Sequence, residues 1–360
     1  TEAEIQADVR QFILSAPCEL EDKDVSVVTL EAQVGKRQRI DVEVGATVIE
    51  VKRDLRKGKV KQEAIEQLSS YVDLRTSQSG LRYVGVLTDA TEWNAFHLVG
   101  GTLNLVSTAE FASGEHELER LTVWLEGVLA TAHGIPPTAE NIQLRLGATS
   151  SAYALDRSTI AILYKQNKQS PSVQMKRALW SRLLTSALGT QFTDTDDLFI
   201  EHTLLVNTAE VIAHAVVGLD ISTLSPASLL GGDKFDESGI HGVVESDFFD
   251  WVIEVPEGER FVRTLAKRLG RFEWGAVEED VLKVLYESVI GSATRKQLGE
   301  YYTPDWLAAI IVRTQITSPL ETRVLDPACG SGTFLFHAVR QYLEAAESAG
   351  MTIADALHGV

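Results

Sequence analysis

Cysteine is nearly absent from this 360-residue chain: Cys18 and Cys329 stand far apart, and neither has metal-ligand spacing around it. That excludes a disulfide framework and fits a reduced, cytoplasmic compartment. No apolar run approaches the roughly twenty residues of a membrane span, and the opening TEAEIQADVR lacks the basic start and apolar core of a signal peptide. The eight histidines never fall into HxxxH or HExxH spacing, so no zinc site is expected. A GxxxxGK[ST] loop is also missing, which removes an ATP-driven motor, and there is no internal repeat or low-complexity tract. Positive charge is outnumbered, with 33 Lys and Arg against 51 Asp and Glu and a net charge of −18. This opposes attraction of the whole molecule to DNA. It leaves a local basic groove open, because affinity follows the charges that touch phosphate. A content of 44% hydrophobic and 23% charged residues is ordinary for a globular chain, and the length allows two or three domains.

The first 112 residues read as one α/β domain with a mixed sheet and flanking helices. Ile5, Val9, Phe12 and Ile13 mark one face of an opening helix. Strands are expected at Val25–Leu30, at Gln38–Val44 and Ala46–Lys52 hinged on Gly45, and at Tyr83–Thr88 and Asn94–Val99. A helix over Lys59–Leu74 carries the stripe Ala64, Ile65, Leu68 and Val72.

The hairpin carries candidate chemistry. Strand periodicity sets Glu50 and Lys52 on one face and turns Val51 into the core, and pairing can bring Asp41 alongside. Two adjacent carboxylates are electrostatically costly unless a cation sits between them. A neighbouring lysine can activate water or steady a phosphorane. On these residues the segment resembles the PD-(D/E)xK nuclease core in the form Asp41…Glu50-x-Lys52. The resemblance extends to Gln67 and Tyr71, one helical turn apart, which in that family support the metal site and the DNA. It implies a Mg²⁺ ion held by Asp41, Glu50 and the Val51 carbonyl, with Lys52 polarising the attacking water and Glu4 as an accessory acid. Lys52, Arg53, Arg56, Lys57, Lys59 and Lys61 follow as a basic run suited to phosphate contact.

From residue 113 to 296 the pattern becomes an all-α connector. Leu118, Leu121, Trp124, Leu125 and Val128 form a helical stripe, and Ile135-Pro136-Pro137-Thr138 reads as a linker. Further helices are expected at Ser172–Leu188, Asp196–Val217, Pro226–Leu230, Gly258–Leu269 and Val277–Ile290, with Trp180, Trp251 and Trp274 as packing residues.

The last segment, 297–360, organises the remainder. Val324-Leu325 reads as a short buried strand that stops at Asp326, turns through Pro327-Ala328-Cys329-Gly330-Ser331-Gly332 and enters a helix running from Thr333 to about Ala349. Glycines let a backbone approach a ligand closely, and a helix start offers unpaired N–H groups. Together with GEYYTP at Gly299–Pro304 this run, DPACGSGTF, resembles the first two motifs of the N6-adenine DNA methyltransferases, which begin a Rossmann-like domain. The resemblance implies S-adenosylmethionine at Tyr302, Thr303, Pro304, Asp326, Ala328, Gly330, Gly332 and Phe334, with Asp326 facing the methionyl amino group. Leu357–Val360 reads as the start of another strand. That strand's ribose-binding acid, and the Pro-Pro-aromatic motif that holds the flipped adenine, are expected beyond Val360, which makes the methyltransferase part incomplete.

Nuclease, helical connector and methyltransferase, in that order, resemble the single-chain type IIG or IIL (MmeI-like) restriction–modification enzymes. The resemblance implies double-stranded DNA as substrate, phage defence as setting, and self-association for double-strand cleavage. Two other readings stay open: a defence methyltransferase whose first domain is idle, and a DNA-binding scaffold with both sites vestigial. Metal-dependent nicking of DNA and binding of the methyl donor separate the three.

Overall fold

The computed structural model of the chain describes residues 1–15, 29–34, 38–79, 83–99, 101–129, 134–188, 192–237, 240, 243–277, 280–290, 303–357 and 360. Helix α1 (Glu2–Ser15) leads into strands β1 (Thr29–Val34), β2 (Gln38–Val44) and β3 (Thr47–Val51). Helix α2 (Val60–Ser79) then leads to β4 (Val84–Thr88), β5 (Glu92–Val99) and β6 (Thr102–Glu110). The six strands lie side by side in chain order. All neighbours are antiparallel except β3 and β4, which run parallel and so need a crossover, supplied by α2. At the β2–β3 turn Gly45 sits at φ +53°, a conformation that costs a glycine little.

Period-two alternation gives the sheet two covered faces. Ile49, Val51 and Val86 pack with Val9 and Ile13 of α1, while Val48 and Leu87 pack with Leu68 and Val72 of α2. The first face also takes Leu121, Trp124, Leu125 and Val128 from α3 (Glu115–Leu129) and Leu155 from further along. The sheet's core therefore reaches past residue 112, where the domain was expected to end. Strand β6 was not anticipated. It is an edge strand with only Leu103 buried, so its sequence carries little apolar alternation.

The connector continues as α4 (Ala139–Leu146), α5 (Ser151–Asn167), α6 (Pro171–Leu188), α7 (Asp196–Val216), α8 (Pro226–Gly231), α9 (Asp233–Glu237), α10 (Gly258–Leu269) and α11 (Val281–Val289). Helices α4 and α5 escaped the periodicity reading, yet Thr138 and Ser150 cap them by accepting from the Asn141 and Tyr153 N–H groups. Ile135 is not a free linker residue. It is buried and bridges to Phe272, because its N–H and carbonyl bond Arg271 and Glu273. Trp180, Trp251 and Trp274 are buried together in the helical core.

Helices α12 (Asp305–Gln315), α13 (Thr333–Ser348) and α14 (Ile353–Leu357) follow. The expected strand at Val324-Leu325 does not form, and Leu325 is 85% exposed. Among the described residues no strand follows β6, and a lone strand has no ladder to satisfy its backbone. Leu357 likewise closes a helix rather than opening a strand, while 358–359 lie outside the described residues. No helix of the described residues is long and apolar enough to cross a membrane.

Candidate functional site

Two groups of side chains stand out, one on the sheet and one where α11 meets the glycine turn. On the sheet, the β2–β3 ladder ends with Val42 opposite Ile49, and Asp41 and Glu50 stand just past that end, close enough for the Asp41 charge to act on Glu50. The Val51 N–H donates to Asp41 Oδ2 at 2.7 Å. Lys52 Nζ donates to Glu50 Oε1 at 2.5 Å, and its backbone N–H donates to the Thr88 carbonyl at 2.9 Å. Glu50 is fully buried, and its Oε2 has no hydrogen-bond partner. On α2, Gln67 Nε2 donates to the Tyr71 hydroxyl at 2.8 Å.

Helix α1 closes the group. Glu2 lies 3.8 Å from Lys52 Nζ, and the Gln6 side chain hydrogen-bonds Asp41. Residues 2 and 6 share a helix face, whereas Glu4 lies on another, exposed and hydrogen-bonded to Thr1. The α1 side chains that reach the group are thus Glu2 and Gln6. Their i, i+4 spacing was the signal available in the sequence.

Burial and the facing Asp41 charge push the Glu50 carboxyl up to about 7, and burial also raises Asp41. Burial alone would lower Lys52, but the Glu50 hydrogen bond and charge more than offset it and raise its pKa. Tyr71 is raised by burial and by the charges of Glu50 and Asp41, which places its hydroxyl in the same field. Among the described residues no three His, Cys, Asp or Glu side chains group as metal ligands. The donor set here is two carboxylates and backbone oxygen. A buried, unpartnered carboxylate oxygen beside a second raised carboxyl is a site short of positive charge, and a hard divalent cation fits it.

The basic run divides. Lys61 pairs with Glu92, and Lys57 lies 3.5 Å from Asp54, while Arg53, Arg56, Lys57 and Lys59 are exposed. Leu55, buried, anchors this loop by donating its N–H to Asp89 at 3.0 Å.

The second group is assembled by α11. Its capping residue Asp280 accepts from the Lys283 N–H at 3.0 Å through Oδ1 and from the Thr333 hydroxyl at 3.2 Å through Oδ2. Lys283 Nζ donates to the Thr303 carbonyl at 2.6 Å. One helix start therefore holds both glycine-turn and Thr303-Pro304 segments, and His337 to Asp305 at 2.9 Å ties α13 to α12. Neither Asp280 nor Lys283 was singled out from the sequence, because their partners are 53 and 20 residues away.

Within the turn, the Ala328 N–H donates to Asp326 Oδ1 at 3.1 Å. Gly330 and Gly332 sit at φ +55° and +89°, and no atom lies within 4 Å of where a Gly332 Cβ would be. Pro304 is exposed ahead of α12. Phe334 packs on Val312, Ile316 and Ala338, so its ring is occupied by the small core of α12 and α13. Tyr302 lies outside the described residues.

Residues 277–359 match the family model of the N-6 DNA methylases. The match supports an adenine methyltransferase, and with it S-adenosylmethionine as methyl donor and DNA as substrate. It starts upstream of the boundary expected at 296/297 and takes in α11, the helix that holds the two motifs. No curated protein and no solved structure matches the chain.

Proposed function

We propose that this chain is the DNA-cleaving and methyl-donor-binding portion of a single-chain restriction–modification enzyme. In this reading the sheet domain hydrolyses DNA phosphodiesters with Mg²⁺ and the segment after Val281 belongs to an adenine-N6 methyltransferase. The observation that carries the nuclease half is the buried Asp41–Glu50–Lys52 group on paired strands, with one Glu50 oxygen lacking any partner. A structural ion pair does not account for it, since Lys52 answers only one of the two carboxylates with a hydrogen bond.

Asp41, Glu50 and the Val51 carbonyl would hold the ion. When bound, Mg²⁺ supplies the positive charge that stabilises a developing phosphorane and lowers the pKa of its water. Lys52, kept protonated by Glu50 and Glu2, orients the attacking water and neutralises charge on the phosphate oxygens. The Asp41 acceptor is held in place by the Val51 N–H and by Gln6. Gln67 and Tyr71 line the neighbouring edge from α2, and Arg53, Arg56, Lys57 and Lys59 extend a basic strip for the DNA backbone.

Nicking of supercoiled plasmid by the chain in the presence of Mg²⁺ tests the reading. Asp41→Ala and Lys52→Ala are each expected to lower the rate by about a hundredfold or more with the fold retained. Cleavage at the wild-type rate by either variant refutes the site. A wild-type chain that never cuts would favour the idle-nuclease or scaffold reading, which binding of the methyl donor separates.

A further inference from the structure

A cavity of about 540 Å³ opens between α7, α11, the 243–247 segment and the Gly330–Ser331 turn. Its wall is mostly apolar, from Leu205, Val206, Ala209 and Leu282 among others, and among the described residues no Lys or Arg lines it. Three acids do: Glu210, Glu245 and Asp247. Glu245 is exposed at the rim. Glu210 is 7% exposed, and its Oε2 is buried without a hydrogen-bond partner. Leaving a carboxylate oxygen in that state is costly, and proteins tolerate it where a ligand answers it.

We propose that Glu210, flanked by Asp247, is a cation subsite of the methyl-donor site, receiving the positively charged sulfonium of S-adenosylmethionine from the connector side. The proposal rests on the methyltransferase reading of the turn, and it assigns to the helical connector a share in binding that the turn itself does not supply. The cavity meets the turn at Gly330 and Ser331, where the positive φ of Gly330 lets the backbone come close to a ligand. Its volume falls within the usual range for a small-molecule site. An ammonium brings three N–H donors and needs several acceptors around it. A sulfonium carries three carbons and no donor, so Glu210, set in an apolar wall with Asp247 beside it and Glu245 out at the rim, is its match.

The surroundings leave Glu210 in need of such a partner. Burial, then the charges of Asp247 and Asp250, push its carboxyl up to about 9. Asp247 is itself raised by burial and by Asp250. Lys176, which acts on Asp247, is held by Asp250 and Glu254. His214, one helical turn along α7, is turned onto Phe235 and bonds the Glu210 backbone carbonyl rather than its side chain. Tyr286 lines the same cavity from α11. Glu210 therefore carries a proton at neutral pH when no cation is bound and gives it up when the sulfonium arrives. Methyl transfer converts the sulfonium to a neutral thioether, and the subsite then ceases to favour its occupant.

Titration calorimetry on the full chain, with S-adenosylmethionine and S-adenosylhomocysteine in two buffers of different ionisation enthalpy, tests this. Wild type is expected to bind the sulfonium form more tightly and to release up to one proton per site at pH 7. Glu210→Gln is expected to weaken the sulfonium form by about tenfold or more, the size of one charge-assisted contact, and to abolish the proton release. The thioether should change by less than about twofold. Glu210→Met, of similar size and without polar atoms, should repeat the pattern, and the unliganded melting temperature of both variants reports whether they fold. Unchanged binding of the sulfonium form, or equal loss for both ligands, overturns the subsite while the methyltransferase reading stands. Failure of the wild-type chain to bind S-adenosylmethionine overturns both.

Discussion

Replacing Glu50 by glutamine is expected to stabilise the metal-free protein. In an unfolded chain this carboxyl titrates near its ordinary value of 4.5, and in the sheet it is pushed up to about 7. A raised acid binds its proton more tightly in the folded state. Folding stability therefore falls as pH climbs from 4.5 to about 7 and levels off above that. At 1.36 kcal/mol per unit the loss is about 3 kcal/mol. The shift to about 7 already includes the Lys52 contact, so glutamine, which does not titrate, escapes the whole loss. The net gain at pH 8 is therefore about 3 kcal/mol, or about a hundredfold slower exchange of the β2 and β3 amides. Hydrogen exchange read by mass spectrometry in the presence of EDTA measures it. Below pH 4.5 the difference should vanish, because both side chains are then neutral. Adding Mg²⁺ at pH 8 should slow exchange in the wild type and leave Glu50→Gln nearly unmoved. Faster exchange in the variant at pH 8 without metal, or an equal response of both proteins to Mg²⁺, would refute the reasoning.

The exposed loop gives a second expectation. Replacing Arg56, Lys57 and Lys59 by alanine should weaken DNA binding at all sequences alike and flatten the salt dependence by about one logarithmic unit per lost phosphate contact. Lys61→Ala should leave that slope unchanged, since Lys61 is already paired with Glu92; fluorescence anisotropy across a salt series distinguishes the two. At the other site Asp280→Ala removes both the cap of α11 and the anchor of Thr333, so exchange should accelerate together over α11 and residues 330–336. Asp280→Asn keeps a good cap and should affect α11 far less; unaltered protection of the glycine turn in Asp280→Ala would show that it is held elsewhere.

Short-range chemistry was readable in the chain itself. The β2–β3 hairpin follows from two β-rich runs hinged at a glycine, and period two then forces Glu50 and Lys52 onto one face with Val51 opposite. The apolar segments that became α2, α7 and α10 lie close to where the sequence put them, since helix formation follows from residues a turn apart whatever they later pack against. The DPACGSGTF run marked the start of α13 for the same kind of local reason, as Gly332 at positive φ turns the chain into the helix at its cap position.

Tertiary structure decided what depends on partners distant in sequence. Val324-Leu325 has strand composition, but a strand needs a ladder, and none of the described residues after β6 offers one. Strand pairing, rather than composition, brought Asp41 to the Val51 N–H and beside Glu50, and helix docking chose Glu2 and Gln6 over Glu4 as the α1 neighbours. Asp280 and Lys283 read as ordinary surface charges until the fold lays Thr333 and Thr303 against them. Glu210 is the limiting case. On α7 it is one more polar residue in a helix, and only the packing of α11, the 243–247 segment and the glycine turn around it leaves a buried carboxylate oxygen facing a cavity with no partner. Periodicity encodes which face of an element is buried; what that face meets is a property of the whole chain.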